Sequence, residues 1–110
     1  MMFRVNLIED AEEDLLDIYR YVAVADSPQK AEKLLTRLEE TCLKLESFPN
    51  KGHVPPELKR IDVYDYREVL CHSYKIIYHI FDRDFYIHCV LDGRRDLQDL
   101  LQRRLVRQGD

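Results

Sequence analysis

The sequence predicts an α+β fold, a small twisted antiparallel sheet ordered β-α-α-β-β-β-α. Three observations lead there: two helical apolar stripes early in the chain, three alternating apolar segments late in it, and a leucine-bearing helical segment at the end. The 110 residues hold enough apolar side chains for one core, so residues 1–110 read as a single domain.

The first strand comes from Phe3, Val5 and Leu7 alternating with Arg4, Asn6 and Ile8. Asp10 then reads as a helix N-cap with Glu13 as its capping-box partner. Ala11, Leu15, Ile18, Tyr19 and Val22 recur at helical spacing and form one apolar stripe. Asp26-Ser27-Pro28 ends that helix and opens the next, with Ser27 as N-cap and Pro28 at the first helical position. Ala31, Leu34, Leu35, Leu38, Cys42 and Leu45 carry the second stripe towards Phe48, and Pro49 ends it. So short a link makes the two helices an antiparallel hairpin that covers one sheet face.

Residues 49–60, with a glycine and three of the four prolines, read as a loop. Strands follow at about 66–72, 74–81 and 85–92, joined by tight polar turns into an antiparallel meander, with the first strand added at its edge. Asp96 caps a terminal helix that buries Leu97, Leu100, Leu101 and Leu105.

Composition narrows the function. No segment is long and apolar enough to cross a membrane, and the N-terminus lacks the apolar run of a signal peptide, so a cytoplasmic protein is expected. Cys42, Cys71 and Cys89 are odd in number and widely spaced, as for buried reduced thiols, although Cys71 and Cys89 read as strand residues close enough for an accidental bridge. The net charge of −4 argues against general nucleic-acid binding. Residues 1–50 carry −5 and residues 51–110 carry +1, so acid concentrates in the helical half. The histidine–cysteine neighbours Cys71-His72 and His88-Cys89 lack metal-ligand spacing, and adjacent strand residues face opposite ways; no metal or cofactor is expected.

The chemistry-bearing feature is Gly93-Arg94-Arg95-Asp96, where two arginines leave a strand end. Strand ends are rigid mounts, so cations there grip phosphate or carboxylate in fixed geometry; the simpler reading is a capped turn with two solvated arginines. On the middle late strand, Tyr74, Ile76, Tyr78 and Ile80 share the face expected to meet the helices. Lys75, Ile77, His79 and Phe81 share the other, which is expected to lie open with Arg67 and Val69 alongside and Arg95 at its rim.

The element order, Tyr66-Arg67-Glu68, Ser73-Tyr74-Lys75-Ile76-Ile77-Tyr78 and Val90-Leu91-Asp92-Gly93-Arg94-Arg95-Asp96 together resemble the RelE/ParE superfamily. These are toxins of bacterial type II toxin–antitoxin modules, often labelled plasmid stabilisation proteins. The resemblance implies a toxin neutralised by a cognate antitoxin, with either DNA gyrase or ribosome-bound mRNA as target. RNA cleavage by this fold needs a base for the ribose 2′-OH, cations for the phosphorane charge and an acid for the leaving oxygen. Arg67, Lys75 and Arg95 match basic positions of the ribonuclease branch, while Val69 stands where that branch often has a second basic residue and Leu101 near its C-terminal tyrosine.

His79 is the candidate substitute base, giving Arg67, Lys75, His79 and Arg95 as catalytic candidates. Arg67, Lys75, Arg94 and Arg95 are the candidates for target or antitoxin binding. The missing groups favour a ParE-like gyrase inhibitor over a RelE-like mRNA endoribonuclease; a non-toxic, antitoxin-binding relic is the third alternative.

Overall fold

The computed structural model describes residues 4–108. Phe3 lies outside the described residues, as do the side chains of Leu105 and Arg107. The order is β1 (Arg4–Leu7), α1 (Glu9–Ala25), α2 (Pro28–Lys44), α3 (Pro56–Lys59), β2 (Arg67–Cys71), β3 (Tyr74–Phe81), β4 (Asp84–Asp92) and α4 (Leu97–Gln108).

The α+β class and the late meander are as expected. The strands stand in the order β1-β4-β3-β2, with β2–β3 and β3–β4 antiparallel. The sheet is mixed, however, because β1 runs parallel to β4. The long excursion through α1 and α2 returns the chain to the far side of the sheet, which permits a parallel pair where a hairpin would not.

Ser27 caps α2 through a hydrogen bond from Lys30 N (3.2 Å), with Pro28 in the first turn. Asp96 caps α4 in the same way, accepting from Asp99 N at 3.1 Å. Asp10 is not a cap: α1 starts at Glu9, and Ile8 precedes it without a side-chain cap bond. Part of the 49–60 loop is the short α3, and His53 pairs as an isolated bridge with Glu68 on the β2 edge. Gly52 is needed at this approach, since an added Cβ would lie 2.5 Å from Glu68 O and from Tyr78 Oη.

Residues directly opposite across a ladder share a face, so the register sorts the side chains. Ile76, Tyr78, Phe85, Ile87 and Val90 join Leu15, Leu38 and Leu45 in the core beneath the helical hairpin. The other face is not open as expected. Ile77, Cys89 and Leu91 are buried there under Leu58 of α3 and Leu97 and Leu100 of α4. A bulge between Ile77 and Tyr78 pairs Ile77 with Cys89 but Tyr78 with Ile87, leaving His88 as the extra residue. It sets His88 and Cys89 on the same face, so strict alternation fails at that pair. Cys71 belongs to the hairpin core and Cys89 to the other, and all three cysteines are free, so no Cys71–Cys89 bridge forms.

Candidate functional site

The four candidate cations do not converge. Arg67 stands opposite Tyr78 and Lys75 opposite Leu70, which places Arg67 on the hairpin side and Lys75 on the other. Arg67 turns to the 49–52 loop, donating from Nη2 to Gly52 O, while its Nε is buried without a partner. Val69, placed beside Arg67 in the sequence reading, is in the hairpin core. The expectation that Arg67 shares an open face with Lys75 is corrected on both counts. The two-residue turn after Cys71 sets a register opposing Arg67 to Tyr78, and α3 and α4 cover Lys75's face.

Lys75 is held in a polar cluster. Its Nζ lies 3.2 Å from Glu57 Oε2 and 4.0 Å from Glu68 Oε2, with its side chain 17% exposed. Glu68, the one buried charged residue of the described core, also meets His53 Nε2 at 3.0 Å through Oε1. Gln98 ties α4 to this group by donating to Glu57 O. Two carboxylates therefore neutralise Lys75 with little water present, leaving it poorly placed to receive a phosphate.

Arg94 and Arg95 behave differently from each other. Arg94 forks onto Asp92 (Nε–Oδ1 3.1 Å, Nη2–Oδ2 3.2 Å), and these hydrogen bonds hold the Asp92 carboxyl below its ordinary range. No hydrogen bond or ion pair engages the Arg95 side chain among the described residues. Both line a cleft of about 330 Å³ between α1 and the ends of β3 and β4. Ile18, Tyr74, Val90 and Leu91 supply its apolar surface, Asp14 and Asp17 its acidic rim, and Tyr21 stands at it 73% exposed. A cleft with an apolar floor, a free guanidinium and an exposed tyrosine suits a protein segment carrying a carboxylate beside an apolar side chain.

Among the described residues no cation pairs with His79 for phosphate chemistry. Its Nδ1 lies 2.5 Å from His88 Nε2, with Tyr86 stacked on its ring and Tyr66 edge-on to both imidazoles. Burial lowers the basicity of both rings, His88 to about 4. Burial also pushes the Cys42 and Cys89 thiols up to about 12.

One structural network lay beyond the sequence reading, which noted only that acid concentrates in the helical half. Arg104 Nη2 meets Asp14 Oδ1 at 2.6 Å and its Nη1 donates to His88 O (3.0 Å), while Asp14 Oδ2 accepts from Val90 N (3.0 Å). This network joins α1, α4 and the β4 bulge. Partners 90 residues apart leave no local spacing by which to find them.

A family model described as the ParE toxin of the type II toxin–antitoxin system parDE matches residues 5–97. The chain belongs to this ParE toxin family. Among solved structures, the chromosomal ParDE system from P. aeruginosa is similar at 20% identity and TM-score 0.70, covering 83% of this chain and 96% of the other. The RelBE2 toxin–antitoxin complex from Mycobacterium tuberculosis is similar at 18% identity and TM-score 0.59, covering 84% and 99%. At such identities the likeness establishes the ParE/RelE fold. No curated protein matches the chain. No helix among the described residues is long and apolar enough to cross a membrane.

Proposed function

We propose that this ParE-family protein is a toxin that arrests growth through DNA gyrase, without a hydrolytic step of its own, and is held in check by a cognate antitoxin. The observation that carries this reading over an mRNA endoribonuclease is the separation of Arg67 from Lys75 on opposite sheet faces, with Lys75 already neutralised by Glu57 and Glu68. In-line transphosphorylation requires base, acid and cations around one phosphate at near-contact distances. Arg67, Lys75, His79 and Arg95 supply no such set. The α1–β4 cleft with Arg94 and Arg95 is instead a protein-binding surface for antitoxin or target. The similar ParDE and RelBE2 structures, both toxin–antitoxin systems, support an antitoxin partner. A gyrase target implies action in the cytoplasm.

The test is induced expression with and without the product of the neighbouring reading frame. Expression alone should stop growth, with gyrase-dependent DNA breaks and intact mRNA, and co-expression should restore viability. Arg94→Glu with Arg95→Glu should weaken either antitoxin capture or toxicity. Codon-biased mRNA cleavage with undamaged DNA would transfer the protein to the RelE-like reading. Tight complex formation without toxicity would make it an antitoxin-binding relic.

A further inference from the structure

The toxin reading leaves one cluster unused. It sits on the sheet face away from the helical hairpin, where His79 of β3 and His88 of β4 present ring nitrogens to each other across the strands. The closest approach is 2.5 Å between Nδ1 and Nε2, with ring centroids 4.6 Å apart. The bulge creates this pair: without the extra residue, His88 would turn to the other face. Tyr66 stands edge-on to His88 at 5.2 Å and to His79 at 6.2 Å, and Tyr86 stacks on His79 at 5.2 Å, so the rings are walled in while remaining half-buried.

We propose that His79 and His88 form a two-imidazole site for a borderline divalent transition-metal ion such as Zn²⁺. Imidazole nitrogen suits such ions, and two imidazoles fixed on adjacent strands form a chelate with little ordering left to do. Two nitrogens facing each other need one proton between them, or one ion. The ring that donates in the metal-free pair shifts its proton to its far nitrogen, so no net proton is released. With zinc–nitrogen bonds of about 2.0–2.1 Å in tetrahedral geometry, the nitrogens must separate to about 3.3 Å. Opening from 2.5 Å needs only small ring rotations.

The surrounding charges are mixed. Asp65 acts on His79 and Asp10 on His88 in favour of a cation, and Arg104 acts on His88 against it. Among the described residues no third histidine, cysteine or carboxylate completes the set. Water or a donor from a bound partner fills the remaining positions. The inference is independent of the gyrase reading, since it concerns the opposite side of the sheet from the α1 cleft.

The experiment uses untagged, chelator-dialysed full-length protein titrated with ZnCl₂, read by calorimetry and thermal unfolding. A bound ion would join β3 to β4, so the expected result is saturation at one equivalent with a rise in Tm. His79→Gln and His88→Gln should each abolish both, and His53→Gln and His72→Gln should abolish neither. Should a pair variant fail to fold, paramagnetic Co²⁺ on the wild-type protein gives the same answer, broadening the His79 and His88 ring signals in NMR before any others. Absence of a saturable equivalent, retention of binding in both pair variants, or first broadening at His53 or His72 would each overturn the proposal.

Discussion

The two faces of the sheet hold the molecule together by different means. Beneath the helical hairpin, Leu38, Leu45, Ile76, Phe85 and Ile87 are fully enclosed, and the layer depends on apolar burial. On the other side, Leu58, Leu97 and Leu100 cover Ile77, Cys89 and Leu91, and beside this smaller core lie the Glu57–Glu68–Lys75–His53 cluster and the paired imidazoles. An apolar layer loses stability when volume is removed. A charged cluster loses it when balance is removed. The Glu57–Glu68–Lys75–His53 cluster and the imidazole pair therefore sit on the side with less apolar cover.

The largest expected effect tests the apolar side. Phe85→Ala should lower unfolding free energy by about 3–5 kcal/mol in urea titration, because the ring is fully buried against Tyr78. A loss below 1 kcal/mol would remove the contrast between the faces. Next comes the charged side: Lys75→Met should cost about 3 kcal/mol by leaving Glu57 without its cation and Glu68 with His53 alone. Adding Glu57→Gln and Glu68→Gln should recover most of that loss, and a triple variant no better than the single one would show that packing, and not charge, dominates there. Gly52→Ala should cost about 1–3 kcal/mol, since the new methyl meets a β2 carbonyl and the Tyr78 hydroxyl. The smallest effect is kinetic. With Cys42 and Cys89 shifted to about 12 and all three thiols buried, the native protein should react negligibly with a thiol reagent at neutral pH and release three equivalents after denaturation.

Much of the fold was legible because local signals agreed with one another. The α1 and α2 stripes each name a helix that the structure keeps, and Ser27-Pro28 and Asp96 each name a helix start; α2 ends at Lys44, short of the expected Phe48. The direction of β1 was not legible, since apolar alternation carries no sense of strand polarity. The covered second face left a trace that went unused: Ile77, Cys89 and Leu91 are apolar where an exposed face would be polar, as in strands buried on both sides.

The candidate site was less legible than the fold. Residue types at Arg67 and Lys75 suggested joint work, but a shift of one residue in register exchanges faces, and only the paired strands decide it. The bulge at His88 hid the imidazole pair for the same reason.

Asp14 carries one more consequence. β1 ends at Leu7, and past that point β4 turns the Val90 amide towards a flank where a neighbouring strand would have supplied a carbonyl. A carboxylate occupies that berth, moored by Arg104. A foreign polypeptide seeking to prolong the ladder along this margin must first dislodge the mooring. The outer strands β1 and β2 remain the ladders at which a further strand would add.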